Sequence, residues 1–227
     1  MKIENVEVYG LAESIVASGL PMKEKVHDAV FRAEVRDVDG AITNAVAGVN
    51  LYPVAGSEPH LKRAKTLAAC KGGESHDCYL CGIIVQFNMT APRYFFPEFG
   101  RYHFADIISS TSTMHKLKAH ARIYAMMLSD DEKRKFLEEH FDKATDPRFA
   151  HEYMMFAGEH LDDIHVLKAN LPEGWLQTVR VTTNYRQLKT MYHQRHDHRL
   201  QEWKDFCAWI ASLPMANQLI IGENNNG

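Results

Sequence analysis

The run from Asn184 to Leu213 holds thirty residues without Gly or Pro. Thr183–Asn184 offers a polar start and Pro214 a stop. At about 100° per residue, Asn184, Leu188, Tyr192, Arg195, Arg199, Trp203, Phe206 and Ile210 fall on one stripe roughly 100° wide. The pattern predicts a long core-facing helix, yet two arginines stand in the middle of its apolar face. An unpaired buried guanidinium is costly, so these side chains snorkel outward, find an internal carboxylate, or meet a bound anion.

The other periodicities are shorter. Residues 1–9 alternate weakly, as an edge strand would, and Lys23 to Val38 reads as a helix closed by the Asp39-Gly40 turn signal. Residues 41–57 read as loop, and Glu58 to Cys70 as a short amphipathic helix ending at Gly72-Gly73. Ile83 to Met89 is β-rich and closes at Ala91-Pro92. An aromatic stretch broken by Pro97 and Gly100 follows, then the hydroxyl cluster Ser109, Ser110, Thr111, Ser112 and Thr113. That cluster is either a helix cap over an aromatic wedge or part of a substrate loop. Helices are predicted at Thr113–Met127, at the charged 130–144 segment and at Phe149–Asn170, and a strand over 175–183 after the Leu171-Pro172 break. The sum is an α+β domain over 1–221, with a mostly antiparallel sheet flanked by long helices and a disordered tail at 222–227.

Composition narrows the partners. At 227 residues the chain can bury a core without staples, and a net charge of −3 provides no basic field for nucleic acid. No apolar run reaches the ~20 residues of a membrane span, and the N-terminus lacks a signal peptide's apolar core, so a cytoplasmic protein is expected. Of the four cysteines, Cys70, Cys78, Cys81 and Cys207, the middle two form one CxxC. That spacing suits zinc or redox chemistry, but a zinc site wants a second pair, and buried or half-buried thiols are the plainer reading. His193, His196 and His198 invite a metal site, yet on one helix their directions diverge too far to converge on an ion.

Three blocks, in order, resemble the flavin-dependent thymidylate synthases. Gly73-Glu74-Ser75, then the strand into Ala91-Pro92, is similar to that family's Gly-His-Glu-Ser/Thr loop, strand and Ala-Pro. Arg101 stands where the signature Arg-His-Arg-x-x-Ser begins. The Leu171-Pro172 break is followed by Thr-x-Asn-x-Arg-x-Leu from Thr182 to Leu188, with Arg195 and Gln201 beyond. The departures are specific. The signature reads Arg101-Tyr102-His103, its first serine is Asp106, and its closing Ser-x-Arg becomes hydroxyls without an arginine. Lys168 replaces an arginine, and Thr190 an asparagine.

The resemblance implies a homotetramer with active sites between subunits, non-covalent FAD, and a pyrimidine nucleotide beside it. It further implies NADPH as reductant and methylene-tetrahydrofolate as carbon donor to C5 of dUMP. By position, Ser75, Arg101, His103, Asn184 and Arg186 would contact FAD, with Arg101 between flavin and nucleotide. Glu98 takes the place of a nucleotide-contacting glutamine. Ser110, Thr111 or Ser112 would cradle the nucleotide phosphate, while Lys168 and Arg195 would bind dUMP. Arg195 would be catalytic, because a fixed guanidinium favours negative charge across N3, C4 and O4 of the base. Arg199, one turn on, would hold a phosphate or an acidic neighbour. A different C5 one-carbon modification, another pyrimidine nucleotide, or a non-catalytic flavin or nucleotide binder are the alternatives.

Overall fold

The computed structural model describes residues 1–48, 54–70 and 75–222. β1 (Lys2–Tyr9) leads into α1 (Leu11–Ala17), α2 (Asp28–Val46) and α3 (Glu58–Ala68). A 3-10 turn at Cys78–Gly82 precedes β2 (Ile84–Pro92), and α4 (Phe96–Phe99) precedes β3 (Asp106–Ser110). Next come α5 (Thr113–Met126), α6 (Asp130–His140), α7 (Pro147–Glu159) and α8 (Ile164–Ala169). The chain closes with β4 (Leu176–Asn184), α9 (Tyr185–Arg195), α10 (Gln201–Ala211) and a π-helical turn at Asn217–Ile221.

Among the described residues the strands form one sheet in the order β1-β2-β4-β3, with β1 at an edge as its weak alternation predicts. Thr90 bonds Thr178 and Arg180 bonds Asn88, so β2 and β4 run antiparallel. Both obey the two-residue period. Val85, Phe87, Met89 and Ala91 are buried, as are Val179, Val181 and Thr183. The intervening Asn88, Thr90, Thr178 and Arg180 line a half-buried polar face. The expected α+β class, antiparallel sheet with helices, is what the chain adopts.

The chain divides into two compact units, one of Met1–Glu4 with Asn88–Val181 and one of Asn5–Phe87 with Thr182–Gly227. The first has a core of Leu117, Ala121 and Tyr124 from α5 with Phe136, Leu137, Tyr153, Met154, Leu167 and Trp175. In the second, Phe87 stacks obliquely on Trp209 (4.4 Å between centroids) and on Phe206 (6.0 Å), beside fully buried Trp203 and Ile210.

Four predicted boundaries are corrected. The helix expected to stop at Asp39-Gly40 runs on to Val46, because Val38 and Ile42, four apart, are both buried. That packing outweighs the ~1 kcal/mol propensity penalty of an interior glycine. The chain stops instead at Gly48, whose φ of 67° is the left-handed closure glycine adopts freely. The helix predicted over 149–170 is two, because the Asp163 carboxylate accepts from the N–H groups of His165 (2.9 Å) and Val166 (3.1 Å) and starts α8 afresh. The thirty-residue helix also breaks. α9 ends at Arg195, the His198 N–H donates to the Arg195 carbonyl (2.9 Å), and His198 Nδ1 accepts from the Leu200 N–H (3.2 Å). Finally, the 93–112 segment contains β3, an edge strand exposed along its whole length. The Gly72-Gly73 stop and residues 223–227 of the tail lie outside the described residues.

Candidate functional site

In the first unit, the hydroxyl cluster folds into a cleft of about 200 Å³. Thr111 and Ser112 line it, joined by Thr90 and Thr178 of the sheet, Lys116 and His120 of α5, and His140 of α6. The capping reading of the cluster holds at one residue. Ser112 caps α5, its side chain accepting from the His115 N–H at 3.2 Å. The Thr111 hydroxyl accepts from the Thr178 N–H (3.1 Å), and its own N–H donates to the Thr178 carbonyl (2.8 Å). These oxygens keep further lone pairs for a ligand. Deeper in, the His120 ring meets His140 edge-on at 4.5 Å, and its Nδ1 is buried with no hydrogen-bond partner among the described residues. Burial, then the neighbouring His140 and Lys116, lower the His120 pKa to about 4, so the ring is neutral at pH 7. Lys116 supplies an exposed positive charge at the mouth.

Other predicted positions of this unit lie on the surface. Glu98 is half-buried on α4, Arg101 and His103 follow it exposed, Ser110 ends exposed β3, and Lys168 is exposed in the last turn of α8. A larger cavity of about 560 Å³, between α5, α6 and α7, contains none of the predicted residues.

In the second unit, α9 separates its predicted residues. Asn184 caps the helix, accepting from the Gln187 N–H at 2.9 Å, and Arg186 lies in the first turn. Arg195 closes the last turn, so the two ends stand about 16 Å apart for eleven residues. The Arg186 Nε donates to buried Asp77 at 3.0 Å, and Lys189 Nζ to the same carboxylate at 2.9 Å and to the Ala68 carbonyl at 2.6 Å. Half-buried Arg195 stacks on Trp203, its guanidinium carbon 4.7 Å from the ring centroid. It is therefore neither free in solvent nor part of a continuous stripe with Arg199, which sits exposed in the bend between α9 and α10. Ser75 is exposed with a left-handed φ of 59°.

The three histidines go separate ways. His193 Nε2 lies 3.0 Å from the Ile220 carbonyl, His196 stacks on Tyr192, and His198 meets Trp203 edge-on. Among the described residues no group of three His, Cys, Asp or Glu is placed to hold a metal ion, and no helix is long and apolar enough to cross a membrane.

No protein-family model and no curated protein matches the chain. Solved structures do. A crystal structure of the flavin dependent thymidylate synthase ThyX from Helicobacter pylori, complexed with FAD and dUMP, matches with a TM-score of 0.61 at 16% identity, covering 81% of this chain and 92% of that one. A second Helicobacter pylori ThyX structure, with FAD and dUMP, gives 0.58 at 16% identity, covering 81% and 90%. The chain has the fold of the flavin-dependent thymidylate synthases. The match spans nearly the whole of ThyX, so the likeness is to the complete architecture rather than to one motif.

Within this ThyX fold, sequence reasoning missed Lys116, His120, Thr90, Thr178 and Lys189. Each belongs to a regular element and looks like a solvated or packing position in isolation. The β2–β4 register was the one usable signal, since it places Thr90 opposite Thr178 on the polar face.

Proposed function

We propose that the chain is a flavoenzyme that methylates C5 of dUMP to give dTMP, residues 1–221 acting as one functional domain. The observation that carries this reading is the ThyX fold over 81% of the chain, matched to structures complexed with FAD and dUMP. FAD reduced by NADPH would supply the hydride, and methylene-tetrahydrofolate the carbon. The residues present suit such ligands. Arg101, His103 and Ser75 are exposed, and Arg186 keeps part of its surface open while Asp77 fixes its direction. Uracil is a weak carbon nucleophile until negative charge develops across N3, C4 and O4. Arg195, half-buried and fixed over Trp203, is oriented before any ligand arrives, which is the condition for electrostatic catalysis. Thr111, Ser112 and Lys116 would take the phosphate, with Lys116 as a point charge where the signature's arginine is missing.

A homo-oligomer, the tetramer with shared sites, has support in the surface of the first unit. Phe104, Ile107, Ile108, Met114, Ile123, Met126 and Leu128 are all exposed there. An apolar edge strand left open is a liability in a monomer.

One observation favours a variant chemistry. Thr113 stands where an arginine would, so no guanidinium completes the hydroxyl cluster. That suits hydroxymethylation, a different pyrimidine nucleotide, or a non-catalytic binder. The colour of the purified protein separates the enzyme readings from the binder. Yellow protein bleached by NADPH supports the enzyme, yellow protein inert to NADPH supports a binding module, and protein that stays colourless with added FAD overturns the flavin reading.

A further inference from the structure

The CxxC of the second unit is not where buried thiols belong. Cys78 and Cys81 are both exposed, whereas Cys70 is half-buried and Cys207 buried, its thiol pushed up to about 11 chiefly by burial. The pair sits on the 3-10 turn Cys78–Gly82. Such a turn has three residues per revolution and a rise of about 2 Å, so positions three apart eclipse with Cα atoms roughly 6 Å apart. A disulfide spans Cα separations of about 4.4–6.8 Å. The turn is held in place by what lies between and around the thiols. Leu80 is fully buried, and the Tyr79 hydroxyl donates to the Ala64 carbonyl at 2.7 Å. A Cβ on Gly82 would come within 2.5 Å of Ser14 Oγ, which seats the turn against α1. Asp77, just before the turn, is fixed by Arg186 and Lys189. Arg186 also meets the Cys81 side chain and lies in the field of Cys78.

We infer that Cys78 and Cys81 are a redox-active dithiol that closes reversibly into an intrachain disulfide beside Arg186. The oxidant is a small disulfide such as oxidised glutathione. The Cys81 thiolate attacks one sulfur of that disulfide, expelling one glutathione thiolate and leaving a mixed disulfide. The Cys78 thiolate then attacks the Cys81 sulfur and expels the second. Two protein thiols are oxidised, one glutathione disulfide is reduced to two thiols, and the two cysteine protons end on them. Exchange runs through a thiolate, and a guanidinium is the neighbour that suits one. Closure removes the Cys81 thiol from Arg186, so the arginine's surroundings change with redox state.

The test uses the full chain equilibrated in glutathione buffers from reducing to oxidising, quenched with N-ethylmaleimide and read by intact and peptide mass. Two of the four thiols should become unreactive together, map to Cys78–Cys81, and return with dithiothreitol. C78S and C81S should each stop at a mixed disulfide with glutathione. R186Q should slow closure roughly three- to tenfold at neutral pH, with R186K recovering most of the rate. The inference is overturned if both thiols remain alkylated at the most oxidising poise, or if the lost mass maps to Cys70 or Cys207. The readout is on the protein alone, so it stands or falls apart from the flavin reading.

Discussion

The candidate cations of the two units are held in contrasting ways, exposed Arg199 of the second excepted. In the second, several cations are held by the protein itself. Arg186 and Lys189 share Asp77, Arg63 donates to Ser18 Oγ (3.0 Å) and the Ile15 carbonyl (3.2 Å), and Arg195 lies on Trp203. In the first, Arg101, His103, Lys116 and Lys168 are exposed, and a cleft of hydroxyls contains an imidazole nitrogen with no partner among the described residues. A committed charge rigidifies a scaffold and presents one face in a fixed direction. An exposed charge leaves its solvation to be exchanged for a ligand. The same residue type therefore has different consequences when mutated in each unit.

The largest expected effect is on Arg195. Arg195→Ala should lower kcat/KM for dUMP by about 100-fold or more, ~3 kcal/mol of transition-state stabilisation, the scale of losing one oxyanion donor. Steady-state kinetics on the variant would check it, and unchanged turnover would refute the catalytic assignment. Next comes Asp77→Ala, which leaves Arg186 and Lys189 facing each other without an anion. With Arg186 over a third exposed, the loss should be about 2–3 kcal/mol, read by urea unfolding. Lys116→Ala should do the reverse, leaving stability within ~0.5 kcal/mol while weakening dUMP binding roughly tenfold by calorimetry. Deoxyuridine binding, lacking the phosphate, should not change.

The last expected effect is a pH slope. The folded pKa of His120 is near 4 against an ordinary 6.5, so between those values the unfolded chain binds the extra proton. Stability contributed by keeping the ring neutral is intact above about pH 6.5 and is lost as pH falls towards 4. Thermal midpoints across that window should fall less steeply in His120→Phe than in the parent chain.

This contrast also marks what the sequence made legible. Alternation in β2 and β4 and the Asn184 cap could be read directly, since local physics sets them. The breaks inside 149–170 and 184–213 could not, because they rest on side-chain-to-backbone bonds of Asp163 and His198, and Gly158 lies within the last turn of α7 rather than at the restart. β3 escaped because Ile107 and Ile108 are both exposed, which erases the two-residue period of a half-buried strand. Thr111 and Ser112 were visible as a cluster, but their cleft companions come from four separate segments and meet only through tertiary packing. Arg195 was legible as a cation on an apolar face, whereas its aromatic support needed the bend before α10 to bring Trp203 over it.

Product analysis tests C5 methylation of dUMP most directly. The protein with FAD, NADPH and isotopically labelled methylene-tetrahydrofolate is incubated separately with dUMP, UMP and dCMP, and the nucleotides are resolved by mass spectrometry. Labelled dTMP from dUMP, and no labelled product from the other two, is the predicted result. No labelled nucleotide from any of the three, with FAD bound and reduced throughout, would contradict it.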